Sequence, residues 1–491
     1  MSKPLPRIIR RHEPASTITR DCDCACSDVV PVRTATSHFD SSASWQLSSS
    51  IQSYILPEDL RLVYLASGAG VTDGIGVLNN SAWEMLSAFQ DSSWQQEFQT
   101  WQMEWGQEAT RSILKEFSEL CFIHNKNEKI STSLEKPFTL AAWLHITDRC
   151  NLRCKYCYFP HIRVDMSFET GRAAVEASFR SAAIHGYKQV KLKYAGGEPL
   201  IRFPFVVELH QYAQELAAKY ALLLDGIILS NGTLLTPEIA HTMRRLKMRL
   251  MISLDGIDNH HNSHRVYADG HGSFNDVSRA VCTALAENIV PDISITVSSQ
   301  NVQGLPELVD WIIAKDLPFS LNFYRENDYS KPHESLRLEE EKIVKGMKAV
   351  YEVIEANLPQ RSLLASLVDR ANLSTPHMRT CGVGHSYLVF NHLGQIAKCQ
   401  MAINETVTNA NEHDPLTKIR QDTRGILNLP VKQKEGCQDC EWQNWCTGGC
   451  SLATYRATGR YDVKSPNCNI YKALYPEVVR LEGLRLLKWY S

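Results

Sequence analysis

The sequence predicts an α/β fold centred on a partial, TIM-like (β/α)6 barrel, with a smaller module before the barrel and a cysteine-rich domain after it. Between Leu140 and about Arg325, short apolar strands alternate with helical segments, and each strand ends in a polar or glycine-rich tip. In barrels of this kind, the residues that carry chemistry lie at the C-terminal ends of the strands. The six predicted strands are Leu140 to Thr147, Gln189 to Ala195, Gly226 to Ser230, Leu250 to Leu254, Ile293 to Val297 and Phe319 to Phe323.

Three cysteines follow the first predicted strand in a short loop. Cys150, Cys154 and Cys157 have Cys-x3-Cys-x2-Cys spacing. Because a [4Fe-4S] cluster normally takes four protein thiolates, three thiolates on one loop leave its fourth iron open to a small molecule. The motif resembles that of the radical SAM superfamily. This resemblance implies that the three cysteines hold a [4Fe-4S] cluster whose open iron chelates S-adenosylmethionine.

Seven more cysteines lie in the C-terminal part of the chain, at Cys381, Cys399, Cys437, Cys440, Cys446, Cys450 and Cys468. Their order and spacing resemble the SPASM extension of the same superfamily, which carries two auxiliary [4Fe-4S] clusters and is typical of enzymes that modify peptides. The resemblance assigns Cys437, Cys440, Cys446 and Cys468 to one auxiliary cluster and Cys381, Cys399 and Cys450 to the other. That second group has no fourth cysteine between Cys381 and Cys399. An open iron, His385, His392 or a ligand from the substrate remain alternatives for the fourth position.

Disulfides and zinc binding are alternatives to iron-sulfur ligation for these cysteines. Fifteen cysteines suggest disulfides in an extracellular chain, and the spacing from Cys437 to Cys450 also suits a zinc knuckle. No apolar segment follows Arg7, Arg10 and Arg11, and no apolar run reaches the roughly 18 residues needed to cross a bilayer. We therefore expect a cytoplasmic protein in which clustered thiols bind metal; zinc would explain the late cysteines but not the middle three. The net charge of -2 gives no basis for a nucleic-acid or membrane partner.

Candidate cofactor-binding residues lie at the tips of the second, third and fourth strands. Gly-Gly-Glu-Pro at the end of the second strand resembles the family's methionine-binding motif, in which glycines allow close backbone approach and a carboxylate receives an ammonium group. The next two tips carry short hydrogen-bonding side chains that suit a ribose and a carboxylate. The resemblance implies that S-adenosylmethionine contacts Tyr156, Gly196, Gly197, Glu198, Pro199, Ser230, Asn231, Ser253, Asp255 and Arg265. We expect Arg265 to pair with a carboxylate of the cofactor or substrate, the alternative being a solvated salt bridge within its loop.

The flanking regions complete the predicted domain organisation. Residues 1–55 are polar and predict a disordered or extended tail. Residues 56–130 read as two strands and three helices, which resembles the winged-helix module that grips a leader peptide by strand addition; a structural cap on the barrel is the alternative. The remaining predicted parts are the barrel at 138–330, bridging helices at 331–375 with one helix from Glu334 to Ala356, a cluster domain at 376–475 and a C-terminal helix at 476–491.

Taken together, the resemblances imply an enzyme in which flavodoxin or ferredoxin reduces the first cluster and S-adenosylmethionine is cleaved to a 5'-deoxyadenosyl radical. The expected substrate is a ribosomally made precursor peptide with a leader, which receives a thioether or carbon-carbon crosslink. Formylglycine formation by a sulfatase maturase is an alternative, although those enzymes carry an aspartate where this chain has Gln400. A non-enzymatic iron-sulfur electron-transfer or redox-sensing protein is the other alternative. The sequence assigns no catalytic acid or base.

Overall fold

The computed structural model describes residues 3–10, 39–65, 74–91, 93–127, 138–374 and 376–491. Six parallel strands form the central part of its largest sheet, in chain order, and match the six strands predicted from the sequence. Helices connect them, as expected for parallel strands whose faces must both be covered. The result is an α/β fold with a large, mostly parallel sheet, consistent with a partial barrel.

The N-terminal module comes first in the chain and contains a separate antiparallel sheet. Strands β3 to β5 form this sheet in sequential order, and β1 adds to the outer edge of β5. A two-stranded ribbon of β2 and β6 lies beside it. The elements of the module are β1 (Ile8–Ile9), β2 (Trp45–Leu47), β3 (Ile51–Ile55), β4 (Arg61–Leu65), β5 (Ile75–Leu78), α1 (Asn80–Ser87), α2 (Trp94–Trp105), α3 (Gln107–Glu119) and β6 (Ile123–Asn125).

Part of the predicted N-terminal tail is ordered, which corrects the expectation for residues 1–55. β1, β2 and β3 all lie within that range, and residues 11–38 lie outside the described residues. The three strands are short and sit among polar residues, so they have no periodicity that the sequence could show. β1 and β2 pair with strands that are distant in the chain, whereas β3 pairs with the neighbouring β4.

The barrel elements alternate as the sequence predicted. Its strands are almost wholly buried where they are apolar; Leu140, Ala142, Leu144 and Ile146, for example, point into the layer of helices and are fully buried. The elements are β7 (Thr139–Thr147), α4 (Phe168–His185), β8 (Gln189–Gly196), α5 (Phe203–Tyr220), β9 (Leu223–Ser230), α6 (Pro237–Arg245), β10 (Arg249–Ser253), α7 (Asp258–Asn262), α8 (Phe274–Ala286), β11 (Asp292–Val297), α9 (Leu305–Ala314) and β12 (Phe319–Phe323).

The C-terminal region continues the barrel sheet beyond its first strand. β13 pairs in parallel with β7, and β14 and β15 follow as antiparallel strands, so the sheet has nine strands in all. Cys381, Cys399 and Cys450 of this region share one apolar cluster with Cys157 of the first cysteine loop. The elements are α10 (Glu340–Ala356), β13 (Tyr387–Phe390), β14 (Gln395–Ala397), β15 (Thr406–Asn409), α11 (Pro415–Gln421), α12 (Gln443–Cys446), α13 (Ser451–Thr458) and α14 (Cys468–Tyr490).

Two of the helices differ from their predicted bounds. The predicted helix from Glu334 begins later, at Glu340, because Glu339 is extended and its backbone N–H donates to the Ser299 hydroxyl at 2.8 Å. The C-terminal helix starts at Cys468, earlier than expected, and packs against α10 and the N-terminal sheet. A Cβ at Gly483 of this helix would lie 3.1 Å from the side chain of Leu62, so the helix and the sheet approach each other closely there.

Candidate functional site

The first cysteine loop follows β7 and is partly buried. The backbone N–H of Leu152 donates to Sγ of Cys150 at 3.4 Å, and the N–H of Cys157 donates to the carbonyl oxygen of Cys154 at 3.0 Å, so the loop folds back on itself. Burial raises the pKa of the Cys150 and Cys157 thiols to about 12 and also raises that of Cys154. Metal ligation requires thiolates, so a bound metal ion would have to displace these protons.

The glycines at the tip of β8 bring that strand against the cysteine loop. A Cβ at Gly196 would lie 2.3 Å from the carbonyl oxygen of Thr147, and one at Gly197 would lie 2.3 Å from that of Arg149. The backbone N–H of Gly197 donates to the carbonyl oxygen of Thr147 at 2.7 Å, and that of Glu198 donates to the carbonyl oxygen of Arg149 at 2.8 Å. The glycines are therefore needed for contact between two parts of the chain, since no larger residue fits between them.

The Glu198 carboxylate is fully buried and ties two strand tips together. It accepts hydrogen bonds from the backbone N–H of Leu200 at 3.0 Å, the hydroxyl of Ser230 at 2.8 Å and the backbone N–H of Asn231 at 2.7 Å. Burial raises its pKa to about 7, although these three donors favour the charged form. Pro199 follows directly and begins a short 3-10 helix that fixes the carboxylate's direction.

Asn231 connects the tip of β9 to the cysteine loop. Its side-chain Nδ2 lies 3.8 Å from Sγ of Cys150 and donates to Oδ1 of Asn151 at 2.9 Å. Its Oδ1 accepts from the backbone N–H of Thr233 at 3.0 Å, which fixes the orientation of the amide. Asn231 can therefore donate toward the sulfur ligands of a bound cluster.

The tip of β10 carries a buried charged group built on Asp255. Nε of Arg265 donates to Oδ2 of Asp255 at 2.6 Å, the Tyr156 hydroxyl donates to the same oxygen, and the N–H of Thr296 donates to Oδ1 at 2.7 Å. Burial is the largest influence and would raise the pKa of Asp255, but Arg265, His264, His261 and the Tyr156 hydroxyl together lower it. Ser253, the last residue of β10, is half-buried two positions before this carboxylate.

Arg265 also reaches the cysteine loop, and its salt bridge with Asp255 is buried rather than solvated. Nη1 of Arg265 lies 3.7 Å from Sγ of Cys154, and the guanidinium carbon lies 5.2 Å from the centroid of the Tyr156 ring. The residue is only 8% exposed. Two neighbouring histidines, His261 and His264, are buried, and burial lowers their pKa values to about 3 and about 4.

The late cysteines line two separate cavities. Cys381, Cys399 and Cys450 line a small cavity of about 30 Å³ together with Arg325 and Arg370. We call these three cysteines the thiol trio. A second cavity, of about 20 Å³, is lined by the remaining four. We call this set, formed by Cys437, Cys440, Cys446 and Cys468, the thiol quartet.

Positive charges face the thiol trio. Burial is the largest influence and would raise the pKa of Cys450, but the charges of Arg325 and Arg370 and a backbone hydrogen bond from Ala453 together lower it. Arg325 is itself held by Asp369, whose Oδ2 lies 2.7 Å from Nη2. The pKa of Cys399 is raised to about 12, chiefly by burial. Such an environment offsets negative charge on thiolates and on a cluster that they would hold.

The two candidate histidine ligands lie elsewhere. Nδ1 of His392 lies 3.7 Å from Oδ2 of Asp148, just before the first cysteine loop. His385 is half-buried, and its partial burial lowers its pKa to about 4. Among the described residues, the lining of the trio cavity includes neither of them. The side chain of Asn428, which the sequence did not single out, instead donates to the carbonyl oxygen of Cys381 at 2.6 Å.

Tyr158 packs between the first cysteine loop and the thiol trio. Its ring belongs to one apolar cluster with Cys157, Cys381, Cys399 and Cys450. Burial raises its pKa, and Cys157 and Cys399 add to the shift through their proximity. The sequence gives no signal for this role, because the two thiol groups are far apart in the chain.

Two features are absent from the described part of the chain. No three His, Cys, Asp or Glu side chains there lie close enough together to hold a single metal ion. No described helix is both long enough and apolar enough to cross a membrane.

Comparison with known proteins agrees with the barrel and its cysteine loop. Residues 144–312 match the model of the Radical SAM superfamily. The solved structure of native anSMEcpe with bound AdoMet and Cp18Cys peptide has a TM-score of 0.57 at 20% identity, covering 71% of this chain and 99% of that chain. The two proteins therefore share a fold. The matched segment is similar to the Radical SAM superfamily, and it runs from the end of the first barrel strand through the fifth, including the first cysteine loop.

Curated relatives carry several different activities in their names. An uncharacterized protein of Methanocaldococcus jannaschii is 29% identical over 182 residues, 36% of this chain and 61% of that protein, so the match spans less than two thirds of that relative. The Fe-coproporphyrin III synthase of Methanosarcina barkeri is 24% identical over 378 residues, 69% of this chain and 89% of that protein. The subtilosin biosynthesis protein AlbA of Bacillus subtilis is 23% identical over 346 residues, 66% of this chain and 69% of that protein.

Proposed function

We propose that the chain is a Radical SAM enzyme that acts on a ribosomally synthesised peptide and leaves a thioether or carbon-carbon crosslink in it. The observation that carries the proposal is the proximity of the first cysteine loop to the thiol trio, with Tyr158 packed between Cys157 and Cys399. A substrate side chain near this tyrosine would face both the hydrogen-abstracting centre and a second thiol-lined cavity. That arrangement suits a reaction that joins a carbon to a neighbouring sulfur or carbon.

The residues at the first site fit the cofactors that the superfamily implies. Cys150, Cys154 and Cys157 would ligate a [4Fe-4S] cluster, and the tips of β8, β9 and β10 would surround S-adenosylmethionine. Reduced by a flavodoxin or ferredoxin partner, these two cofactors would together supply the 5'-deoxyadenosyl radical chemistry that removes a hydrogen atom from carbon.

The chain's own residues position these groups and exclude water. Asn231 and Arg265 contact the sulfurs of Cys150 and Cys154 and hold the loop against the strand tips. Glu198 fixes the backbone of two tips at once through its three accepted hydrogen bonds. A site this rigid keeps reacting atoms in one geometry, which is the main contribution that a protein makes to radical chemistry.

The thiol trio and the thiol quartet would hold two auxiliary clusters. Four thiols suit a complete [4Fe-4S] ligand set, whereas three leave one iron without a protein thiolate. A cysteine of the substrate peptide would supply the missing fourth thiolate. The charges of Arg325 and Arg370 would favour the thiolate form of that cysteine. We therefore propose that the substrate heteroatom that enters the crosslink binds at the thiol trio.

Two other activities are weaker candidates. Formylglycine formation is disfavoured because Gln400 follows Cys399, and an amide is not a base. A porphyrin substrate is favoured by the 89% coverage of the Fe-coproporphyrin III synthase. The N-terminal sheet and helices favour a peptide, because a sheet edge binds an extended chain through main-chain hydrogen bonds.

The proposal is tested with anaerobically reconstituted protein, dithionite or flavodoxin as reductant, and S-adenosylmethionine. We expect release of 5'-deoxyadenosine that Cys150→Ala, Cys154→Ala and Cys157→Ala each abolish. Cys282→Ala is the matched control, since this cysteine is exposed and lies outside both cavities. Short cysteine-containing peptides encoded beside the gene are then incubated with the enzyme, and a mass loss of two hydrogen atoms is the expected product. The proposal would be overturned if turnover required Fe-coproporphyrin and the enzyme modified none of the peptides.

A further inference from the structure

One edge of the N-terminal sheet is formed by the start of the chain itself. Ile8 pairs with Leu78 and Ile9 with Val77 in antiparallel register, which makes β1 a strand of two residues added to β5. The backbone N–H of Asn79 extends this pairing by donating to the carbonyl oxygen of Arg7 at 3.2 Å. The segment 3–10 thus occupies the edge of β5 as an added strand.

Side chains at the start of α1 bind the main chain of this segment. Nδ2 of Asn79 donates to the carbonyl oxygen of Leu5 at 2.7 Å, and its Oδ1 accepts from the N–H of Arg7 at 3.0 Å. The hydroxyl of Ser81 donates to the carbonyl oxygen of Pro4 at 2.7 Å. These bonds do not depend on which side chains the segment carries, so the edge is equipped to recognise an extended backbone.

Three side chains of the segment add selectivity. Ile8 packs into the module's core beside Gly76, where a Cβ would lie 3.1 Å from Cγ2 of the isoleucine. Ile9 points to the opposite face and joins the main hydrophobic core. Arg10 pairs with Glu116, at 3.2 Å, and with Glu119 on α3. The pattern that fits is two consecutive apolar residues followed by a basic one.

We propose that the β5 edge is a peptide-binding site which residues 3–10 occupy in cis, and that a substrate segment of this apolar-apolar-basic pattern binds there by displacing them. The inference rests on the proposed peptide-modifying function and names the kind of segment that this enzyme reads. A two-residue strand has few ladder hydrogen bonds to lose, so it suits an exchangeable occupant. An occupied edge lowers the apparent affinity for a peptide by the fraction of molecules in which the edge is free.

Binding of a labelled peptide to the reconstituted full-length enzyme tests this proposal. The probe is a synthetic fluorescent peptide with the sequence of residues 3–10, and its binding is followed by fluorescence anisotropy without S-adenosylmethionine. In the variant Ile9→Asp/Arg10→Glu, the segment loses its apolar contact and meets two carboxylates. We expect this variant to bind the probe about tenfold more tightly than the wild type, because more of its edges are free.

Two controls define the site. Leu5→Asp changes a side chain that is 61% exposed in the same segment, so its affinity for the probe is expected to equal that of the wild type. A probe with aspartate at both isoleucine positions is expected to bind neither protein. If the double variant fails to fold, Arg10→Glu alone, which changes only the ion pairs with α3, is expected to shift the affinity in the same direction.

Hydrogen exchange at the Asn79 amide gives an independent measurement. This N–H is expected to exchange faster in the double variant and to regain protection when the probe is added. The proposal would be overturned if the double variant showed fast exchange at the Asn79 amide yet bound no probe. Equal affinity of the wild type and the double variant for the probe would also overturn it. Because no step of this assay involves S-adenosylmethionine cleavage, its failure would leave the proposed chemistry standing.

Discussion

Arg265 and Asp255 form a buried ion pair directly beside the first cysteine loop. Nε of the arginine lies 2.6 Å from Oδ2 of the aspartate, and Nη1 lies 3.7 Å from Sγ of Cys154. The pair links the tip of β10 to a loop that lies far away in the sequence. It also supplies a positive charge next to a thiol that must become a thiolate to bind iron.

Replacing Asp255 should lower the free energy of unfolding. Asp255→Asn leaves the Arg265 guanidinium buried without a compensating charge, which typically costs about 3–5 kcal/mol of unfolding free energy. Denaturant unfolding of the iron-free protein measures the change. The matched control is Asp328→Asn, which removes an exposed carboxylate 2.8 Å from Lys331, and we expect no measurable change there. Equal stability of the two variants would contradict this account.

The same pair gives a direction for the pH dependence of stability. The pKa of Asp255 is lowered below its ordinary value of 3.8 in the folded protein, where Arg265 and the neighbouring His264, His261 and Tyr156 together exceed the effect of burial. The stabilisation is therefore complete above about pH 4 and is lost as pH falls through the folded pKa. Unfolding midpoints measured between pH 3 and 6 should fall more steeply with acid in the wild type than in Asp255→Asn.

Glu198 should show the opposite pH dependence. Burial raises its pKa from 4.5 to about 7, so the unfolded chain releases this proton first as pH increases. The unfolding free energy of the iron-free protein is expected to fall between about pH 4.5 and pH 7 on account of this group, and Glu198→Gln should remove that contribution. The measurement is denaturant unfolding across this pH range in both proteins.

Glu198→Gln should also weaken cofactor binding. The N–H groups of Leu200 and Asn231 each donate to a different oxygen of the carboxylate, so a glutamine amide would meet a donor in either orientation. The conflict costs roughly 1–3 kcal/mol and should displace the strand tips. Equilibrium dialysis with S-adenosylmethionine is expected to show lower affinity in the reconstituted variant. Ser230→Ala, which removes only one of the three donors, should have a smaller effect.

Much of this site was predictable because its residues end strands whose apolar runs are clear in the sequence. The six barrel strands were placed correctly, and Asn231, Asp255 and Arg265 were singled out from motifs next to them. Their contacts with Cys150 and Cys154 were not predictable, since hydrogen bonds between distant loops leave no local pattern. The sequence therefore predicted residues that the fold brings beside the cysteine loop without indicating what each one contacts.

The sequence failed where structure depends on pairing between distant segments. β13 extends the barrel sheet by pairing Tyr387 with Ala141, and β1 pairs Ile8 with Leu78. Each of these strands is too short for a periodic pattern, and its stability comes from a partner elsewhere in the chain. Asn428 was missed for the same reason, because only the fold brings its amide to Cys381.

Iron analysis should separate the three thiol groups. If each holds a [4Fe-4S] cluster, the reconstituted wild type contains about twelve irons per chain, and loss of any one cluster leaves about eight. We expect Cys399→Ala and Cys468→Ala each to lose one cluster independently, because these cysteines line different cavities. Stoichiometric zinc, with iron only at the first loop, would show instead that the late cysteines form a zinc site.

Gly197 should tolerate no side chain. A Cβ there would lie 2.3 Å from the carbonyl oxygen of Arg149, and a backbone atom cannot move aside without shifting the cysteine loop. Gly197→Ala is therefore expected to abolish release of 5'-deoxyadenosine. Gly186→Ala is the control, because its Cβ would meet nothing within 4 Å and only the positive φ of 74° is strained. This control should lose about 1 kcal/mol of stability and retain activity.

The N-terminal module and the thiol quartet meet at a buried tryptophan, which gives a final prediction. Nε1 of Trp445, the residue before Cys446, donates to the carbonyl oxygen of Leu65 on β4 at 3.0 Å. Trp445→Phe keeps an aromatic ring but leaves that buried carbonyl without its donor, which costs about 1–3 kcal/mol. Trp489→Phe is the matched control: this indole donates to the carbonyl oxygen of Leu358 at 3.3 Å but is 44% exposed, so water can replace it. Thermal unfolding should therefore show a lower midpoint for Trp445→Phe alone, and hydrogen exchange at the edge of β4 should increase in that variant. Equal midpoints for both variants would show that the module does not depend on this contact.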